Sequence, residues 1–262
     1  FSFFNLFIKF ARKYFLTKLM EKAQTHFANR AQKYNHSSNW VDDHNLIQKI
    51  YELSEAGEKS TVLDIATGTG LIAKEFYGKV KWVTGLDICT EMVKYSENCM
   101  DEIIFAPAEK LPFPDNTFDA CVCRQGLQFV DLEKGIAEIY RVLKPGGITV
   151  LCHLTAYNEV DKLIAFKIQS LRNPARRNYF LPEDISDALN HHGFIDTANV
   201  GYISDESINQ WIDNGAISKE QMEEIKETYR NAGADFKRIH NIRFTDNDIF
   251  DEMLMMIAKA KK

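Results

Sequence analysis

The segment Val62–Gly70 constrains the fold of this chain more than any other part of its sequence. Apolar residues on both sides of Asp64 predict a buried strand, and the turn Gly68-Thr69-Gly70 that follows opens a helical stretch. Glycine suits a sharp turn against a ligand because it has no Cβ. In a doubly wound sheet, such a turn lies at the carboxyl end of the first strand, where ligands bind.

Short apolar runs alternate with helical stretches from Ser60 onward. The predicted strands are Thr61–Ala66, Lys81–Asp87, Glu102–Ala106, Phe118–Cys123, Ile148–Leu154, Phe194–Ile203 and Met253–Ala260. The clearest helix is Asp131–Leu143, with one apolar face and Asp131 as its N-cap, and further helices are predicted over Glu159–Leu171 and after Pro182. This alternation predicts an α/β fold, in which helices cover both faces of a mostly parallel sheet.

The chain is predicted to divide into a core and two helical additions. Residues 1–57 form an N-terminal helical extension or lid, broken near Asn35–Asn39. Residues 58–204 and 245–262 form the core, and residues 205–244 form a helical insertion before the last strand. Because loops and insertions carry specificity on a fixed scaffold, we expect this insertion to cover a substrate pocket.

The first twenty residues combine many aromatic and aliphatic side chains with four basic ones and contain no acid. One interpretation is a basic amphipathic helix that contacts a membrane surface or serves in targeting. The other is a helix that packs on the chain's own core or on a second subunit, as in a homodimer. No apolar stretch reaches the roughly 20 residues that a membrane span needs. We therefore predict a cytoplasmic protein without a membrane span.

Charge and cysteine content argue against two other classes of protein. The net charge is −5 and no long Lys/Arg block occurs, whereas neutralisation of phosphates dominates the binding of nucleic acids. We therefore predict no nucleic-acid partner. The five cysteines contain no CxxC pair and no spacing typical of zinc ligands, so small buried thiols in a reducing compartment are the favoured interpretation, with no metal site.

Two acids at predicted strand ends indicate the kind of ligand. Gly68-x-Gly70-x-x-Ala73 also fits a dinucleotide-binding turn, but Asp64 stands just before the loop and would repel a pyrophosphate. A carboxylate there suits the ammonium group of an amino acid instead, or serves only to order the loop. Asp87 ends the next strand, where an acid accepts both hydroxyls of a ribose or serves as the N-cap of the helix predicted over Thr90–Asn98. That feature is common to nicotinamide cofactors and S-adenosylmethionine.

Four segments occur together in the order and spacing of known motifs: Val62–Gly70, Leu86–Ile88, Ala108–Asp119 and Arg141–Gly147. Together they resemble the class I methyltransferases, and most of all the branch of the ubiquinone/menaquinone-biosynthesis C-methyltransferases. Phe27–Tyr34 is similar to the entry helix of that branch. The resemblance extends over about residues 60–154 and implies a Rossmann-like sheet of seven strands, the last of them antiparallel.

The resemblance also implies S-adenosylmethionine as cofactor, S-adenosylhomocysteine as product, and a set of residues around them. Asp64 and the loop residues Thr67, Gly68 and Gly70 would surround the methionine portion, while Asp87 would bind the ribose. The remaining assignments are Tyr34 over the cofactor, Ile88 and Met92 beside the adenine, Ala108 and Glu109 along its edge, and Arg124 near the methionine tail. One departure is Pro107, where the family often has an aspartate that contacts the adenine amine.

Candidates for acceptor binding and proton transfer are fewer. His153 ends the fifth predicted strand, so it is either a general base or a buried structural histidine. Gln128 stands where relatives often have a histidine, and it either contacts the substrate or cofactor or serves the structure. Arg172, Arg176 and Arg177 would clamp an acidic substrate, or belong to a solvated loop.

The leading hypothesis is methyl transfer to a small molecule, with a phenolic, quinone-like or other lipophilic acceptor. An NAD(P)-dependent oxidoreductase that uses the same glycine turn is the first alternative. The second is a methyltransferase-like protein that binds the cofactor but has no activity of its own. Preferential binding of nicotinamide cofactors would indicate the first alternative.

Overall fold

The computed structural model describes residues 18, 20–96 and 98–262. The aromatic segment at the N-terminus therefore lies almost entirely outside the described residues, together with the predictions that concern it. No helix among the residues described is both long and apolar enough to cross a membrane.

Helices and strands alternate as predicted through the central part of the chain. The helices are α1 (residues 20–30), α2 (Asn39–Asp42), α3 (His44–Leu53), α4 (Leu71–Phe76), α5 (Thr90–Val93), α6 (Leu132–Val142), α7 (Lys162–Arg172), α8 (Asp184–His191), α9 (Ile208–Ile212), α10 (Lys219–Asn231) and α11 (Ala234–Ile239). The strands are β1 (Thr61–Ile65), β2 (Trp82–Asp87), β3 (Glu102–Phe105), β4 (Phe118–Arg124), β5 (Leu143–Leu154), β6 (Ile195–Ser207), β7 (Arg243–Phe244) and β8 (Ile249–Lys261).

The strands form one sheet in the order β3-β2-β1-β4-β5-β8-β6, and β7 pairs with the end of β8. Pairs among β1 to β5 are parallel, and β8 is antiparallel to both β5 and β6, as the predicted antiparallel last strand requires. The described residues contain eight strands instead of the predicted seven. The additional strand, β7, is only two residues long, which is too short to leave a periodic pattern in the sequence.

The polypeptide changes direction across the sheet at β1, which lies between β2 and β4. From β1, the chain moves outward through β2 and β3, and then returns to β4 and β5 on the other side. The crevice at such a switch point, outside the carboxyl ends of the strands, is where open α/β sheets bind ligands. The topology therefore places Ala66, Asp87 and Arg124 at one edge of the sheet.

Two apolar clusters cover the two faces of the sheet. Alternate residues of a strand point to opposite faces, so Val62 and Val122 belong to one cluster and Leu63 and Cys121 to the other. Helices α3, α4, α7 and α10 contribute to the first cluster, and α6 and α8 to the second. All five cysteines are buried and free, as predicted.

Several boundaries differ from the predictions for local reasons. Asp131 caps α6 as predicted and accepts a hydrogen bond from the backbone nitrogen of Lys134 (3.4 Å). α7 begins three residues later than predicted, at Lys162, because Asp161 accepts hydrogen bonds from the backbone of Tyr157 and Asn158 and holds a turn there. β6 extends to Ser207, since it stays paired with β8 as far as Phe250.

The chain between β6 and β7 holds α9, α10 and α11. α10 begins with a capping box formed by Ser218 and Gln221, and its buried residues Ile225 and Tyr229 join the cluster that contains α7. Gln221 Nε2 also donates to the backbone oxygen of Leu171 (3.2 Å). The helical insertion is thus packed on the sheet; its predicted function as a substrate cover stays a prediction.

Candidate functional site

A cavity opens at the carboxyl ends of β1, β2 and β4, the place that the topology designates for a ligand. Its volume is about 750 Å³ when the open mouth is included. Its wall includes Gly68 from the glycine turn, Asp87 from β2 and Arg124 from β4. We call it the first cavity.

Asp87 lies in the wall of the first cavity and is 9% exposed. One carboxylate oxygen accepts the backbone N–H of Gly68 (2.8 Å), and the other accepts that of Cys89 (2.8 Å). Burial raises the pKa of Asp87, while these backbone hydrogen bonds oppose the rise. Each carboxylate oxygen has a second lone pair. The side chain is thus held rigidly and can still accept hydrogen bonds from a ligand.

The loops after β1 and β4 hold strained backbone beside the cavity. Ala66 and Gln125 both have left-handed backbone, with φ of 57° and 59°, and Gly68 has φ of 55°. A non-glycine residue in that region costs of the order of 1 kcal/mol or more, and such residues concentrate at functional sites. All three residues line the first cavity.

Gly126 lies where these two loops meet. A Cβ built on it would be 2.7 Å from Ala66 Cβ and 2.7 Å from Cys123 Sγ, closer than such atoms approach in proteins. We therefore expect Gly126→Ala to lower the free energy of unfolding by about 1–3 kcal/mol, as overpacking does. Urea unfolding measures this change. Gly57→Ala is the matched control, because a Cβ there has no atom within 4 Å and should not destabilise the fold.

Asp64 is almost fully buried and lies beside the first cavity instead of in its wall. It accepts hydrogen bonds from Thr67 Oγ1 (2.6 Å) and from the backbone of Ala73 (3.1 Å). Burial raises the pKa of Asp64 to about 7, against the effects of the Thr67 hydrogen bond and the Arg124 charge. Asp64 and Thr67 line a small recess beside the first cavity. Tyr34, Ala66 and Arg124 line both this recess and the first cavity, so the two spaces adjoin.

Apolar side chains form the side of the cavity assigned to adenine. Ile88, Met92 and Ala108 line it, together with Pro107, which offers no side-chain hydrogen bond there. Glu109 lines it too, but its carboxylate accepts the backbone N–H of Asp131 (2.9 Å) and lies 3.5 Å from Arg177. This ion pair with Glu109 distinguishes Arg177 from Arg172 and Arg176, the other two arginines of the predicted clamp.

Helix α1 covers the first cavity. Met20, Ala23 and Phe27 from its inner face line the cavity, and Gln24 Nε2 donates to the backbone oxygen of Ile88 (2.7 Å). Sequence reasoning identified only Tyr34 in this region. The spacing of Ala23, Phe27 and Ala31, four residues apart, is the helical signal that would have identified this face.

A second, smaller cavity adjoins the first, and Phe27, Tyr34, Gln125 and Phe129 line both. Its other residues come from α1, α2, α7, α9, the end of β5 and the loops after β4 and α7. Three of them are arginines and two are tryptophans: Arg30, Arg172, Arg176, Trp40 and Trp211. Gln128 lines this cavity and not the first.

His153 is fully buried behind Gln128 and lines neither cavity. Its Nδ1 donates to Gln128 Oε1 (3.0 Å), and Gln128 Nε2 donates to Gln125 Oε1 (2.6 Å). Burial, and then the charge of Arg176, lower the pKa of His153 to about 3, so the ring is neutral near pH 7. Its predicted action as a general base stays a prediction, and its contact with Gln128 gives it a supporting position behind the wall of the neighbouring cavity.

The structure thus gathers most of the predicted cofactor residues around one space. Tyr34, Gly68, Asp87, Ile88, Met92, Ala108, Glu109 and Arg124 line the first cavity, and Asp64 and Thr67 line the adjoining recess. Gly70 lies outside these linings: a Cβ there would be 2.9 Å from Ser96 Cβ, so its small size serves the packing of the turn.

Comparison with known proteins identifies a domain family for part of the chain. Residues 63–151 match a family model described as a methyltransferase domain. The chain is 35% identical over 148 residues to the demethylmenaquinone methyltransferase of Porphyromonas gingivalis, a match that covers 52% of this chain and 60% of that protein. It is 30% identical over 197 residues to an uncharacterised protein of Methanocaldococcus jannaschii, covering 74% of this chain and 89% of that one.

A solved structure with a similar fold is a putative methyltransferase of Bacillus halodurans. Its TM-score is 0.76 at 21% identity, and the match covers 82% of this chain and 98% of that one. The strand order, the acid at the end of β2 and the matched family model all agree. Residues 63–151 thus belong to the methyltransferase domain family, and the chain resembles the quinone-methylating branch of the class I S-adenosylmethionine-dependent methyltransferases.

Proposed function

We propose that this chain binds S-adenosylmethionine in the first cavity and methylates a small molecule held in the second. The observation that carries the proposal is the pair of adjoining cavities at the switch point of the sheet, with the buried carboxylate of Asp87 in the wall of the first. A methyl donor and an acceptor must lie side by side, and these cavities share four residues.

The residues of the first cavity fit the cofactor. Asp87 is rigidly held with acceptor capacity left for ribose hydroxyls, and Ile88 and Met92 offer an apolar surface for adenine. Asp64 would take the ammonium group, since a cation nearby favours the ionised form of a carboxylate whose pKa is raised by burial. Gly68 keeps the loop backbone close, because a Cβ there would be only 3.2 Å from Met92 Cε.

The cofactor supplies a methyl group already activated on a sulfonium, so the protein's task is chiefly to position the acceptor. Positioning alone accounts for about 7–11 kcal/mol of a barrier in favourable cases. Phe27, Tyr34 and Phe129 line the boundary between the cavities, where they would orient the acceptor and exclude water. Helix α1, which covers the first cavity, would act as the lid predicted for the N-terminal extension.

Binding and transfer test the proposal together. By calorimetry, S-adenosylhomocysteine should bind and NADH should not; the reverse would indicate the oxidoreductase alternative, which the family assignment does not favour. Methyl-labelled S-adenosylmethionine is then incubated with the protein and a deproteinised, size-fractionated cell extract. Label should appear in a small-molecule fraction. Tight binding of S-adenosylhomocysteine with no transfer to any fraction would overturn the catalytic part of the proposal.

A cytoplasmic location belongs to the same proposal, because five buried free thiols suit a reducing compartment. The homodimer and the peripheral membrane contact stay predictions. A quinone-like or other lipophilic acceptor also stays a prediction, supported by the name of the Porphyromonas gingivalis relative.

A further inference from the structure

Three arginines meet at the second cavity. Arg30 ends α1, Arg172 ends α7, and Arg176 follows in the next loop. Arg30 and Arg172 are 3% and 7% exposed, and burial lowers the pKa of each, as well as that of Arg176, which falls to about 10. Sequence reasoning considered Arg172 and Arg176 as a clamp, but it included Arg177, which pairs with Glu109, and it missed Arg30.

Within the described part of the chain, these guanidinium groups form no ion pair. Among the residues that the structure describes, no carboxylate lies within 4 Å of Arg30, Arg172 or Arg176. The charge of Glu206 raises the pKa of Arg172, opposing the effect of burial. However, the oxygens of Glu206 accept the backbone N–H groups of Asn39 and Trp40, and Glu206 does not line the cavity. A buried charge without a partner is strongly unfavourable, so this net positive charge calls for an anion.

His26 lies one turn before Arg30 on α1 and is 7% exposed. Its pKa is lowered to about 3, first by burial and then by the charges of Arg30 and Arg172, so the ring is neutral near pH 7 and adds no positive charge beside the arginines.

Unpaired hydrogen-bond donors surround the same cavity. Arg30 Nε, Trp40 Nε1 and Trp211 Nε1 are buried and have no acceptor, although all three residues line the cavity. Buried N–H groups without a partner are rare in folded proteins. The oxygens of a carboxylate or a phosphate would satisfy them, and charge-assisted hydrogen bonds of this kind are about twice as strong as neutral ones.

The arginines are also fixed in place before any ligand arrives. Arg172 Nε donates to the backbone oxygen of Trp211 (2.9 Å), and its guanidinium lies 4.3 Å from the Trp211 ring centroid. Arg176 donates from Nε to Asn178 O (2.9 Å) and from Nη2 to Leu154 O (3.2 Å). Arg30 lies over the Phe27 and Tyr34 rings, at 5.4 and 5.1 Å. An anion would meet preformed donors framed by aromatic surfaces.

We infer that the acceptor is a small organic anion whose carboxylate or phosphate is bound by Arg30, Arg172 and Arg176 in the second cavity. This inference rests on the proposed function and specifies its substrate class. The aromatic residues around the arginines suit a flat or apolar body, which Phe27, Tyr34 and Phe129 would direct towards the first cavity. A neutral quinone would leave the guanidinium groups and the unpaired donors without partners.

The first experiment measures anion binding directly, with the protein saturated by S-adenosylhomocysteine. Phenyl phosphate and benzoate are titrated calorimetrically against the neutral analogue benzamide. We expect the anions to bind and benzamide not to bind.

Arg30→Met should weaken anion binding roughly tenfold or more, since a charge-assisted contact is lost, while Arg30→Lys keeps part of it. Arg230→Met is the matched control, because Arg230 pairs with Glu223 on the surface of α10 and should leave binding unchanged.

Thermal unfolding separates this assignment from a structural one. Among the described residues, Arg30 donates a single hydrogen bond, to Ser37 Oγ (3.4 Å), so replacing it with methionine removes a buried charge that has no counter-charge there. Without an anion, the Arg30→Met protein should be at least as stable as the wild type. A clear loss of stability in this variant, with equal binding of benzoate and benzamide to the wild type, would overturn the inference.

The second experiment identifies the source of the anion. Cell extract passed through an anion-exchange resin should lose its capacity to accept labelled methyl groups, and the salt eluate should restore it. Phosphatase treatment of the eluate abolishes acceptance if the group is a phosphate and leaves it if the group is a carboxylate. Methyl transfer to a fraction that the resin does not retain would overturn the inference while supporting the proposed function. Absence of all transfer would refute the proposed function, and the titrations would still decide whether the cavity binds anions.

Discussion

Replacement of His240 by leucine is expected to lower the free energy of unfolding by about 3–5 kcal/mol, because it leaves two buried carboxylates without a counter-charge. His240 Nδ1 lies 2.9 Å from Asp251 Oδ1, and its Nε2 lies 2.9 Å from Asp161 Oδ2. All three residues are less than 5% exposed. Both ring nitrogens face carboxylate oxygens, so both donate and the ring is an imidazolium.

This buried triad connects three parts of the fold. His240 follows α11 in the helical insertion, Asp251 belongs to β8, and Asp161 precedes α7. Tyr229 also donates its hydroxyl to Asp251 Oδ2 (2.6 Å), and the Phe236 ring stacks on His240 with a centroid separation of 4.1 Å. Loss of the imidazolium should therefore loosen the insertion from the sheet as well as destabilise the whole chain.

Urea unfolding measures the effect, with His191→Leu as control. His191 is an exposed histidine at the end of α8, and its replacement should change stability by no more than about 0.5 kcal/mol. Adding Asp251→Asn to the His240→Leu protein should recover part of the loss, because one unpaired carboxylate disappears. A loss below about 1 kcal/mol for His240→Leu would mean that the triad is not an ion pair network.

The pH dependence of stability follows from the same contacts. Burial alone lowers the pKa of His240, but the hydrogen bonds to Asp161 and Asp251 outweigh it and raise the pKa from 6.5 to about 9. A raised pKa in the folded state stabilises the protein fully below the unfolded value and loses that contribution as the pH rises through the folded value. The stability difference between wild type and His240→Leu should therefore be largest near pH 6.5 and shrink towards pH 9.

Asp87→Ala is expected to weaken binding of S-adenosylhomocysteine by at least about tenfold, because the ribose hydroxyls lose a desolvated pair of acceptors. The backbone N–H groups of Gly68 and Cys89 would also lose their acceptor, so the glycine turn would no longer be held towards the cavity. Both effects should lower the affinity for S-adenosylhomocysteine. Isothermal titration calorimetry gives the change in affinity directly.

Asp101→Ala is the matched control for Asp87→Ala. Asp101 likewise accepts a backbone hydrogen bond, from Val83 (2.8 Å), but it lies before β3 and does not line the first cavity. Its replacement should leave the affinity unchanged. Unchanged affinity in Asp87→Ala, with circular dichroism showing that both variants are folded, would contradict the ribose assignment.

The fold was predictable because its signals are local. The periodicity of Leu132–Val142 and the apolar runs of β1, β2 and β4 directly reflect which side chains each element buries. The positions of Asp64 and Asp87 at the ends of neighbouring parallel strands were predictable for the same reason, since parallel topology brings strand ends to one edge. β7 escaped prediction because its pairing with β8 depends on a partner, not on its own two residues.

The second cavity could not be predicted, because its residues come from distant parts of the chain. Arg30 and Arg172 are separated by more than a hundred residues, and only the tertiary fold brings residues of α1, α7 and α9 to one cavity whose described lining contains no acid. The same holds for the triad of Asp161, His240 and Asp251. His153 is a related case: its strand-end position suggested a base, a prediction that stays open, and only the tertiary structure shows that its Nδ1 contacts Gln128, which lines the second cavity.

The sequence by itself determined the α/β alternation, the glycine turn and the family of this protein, because these depend on short-range patterns and on motifs in a set order. Tertiary structure alone decided which side chains are buried without a counter-charge, and that property depends on every element packed around them. The proposed cofactor site could therefore be predicted from the sequence. The charge of the proposed acceptor site could not, because it depends on residues that α1, α7 and α9 bring to one cavity.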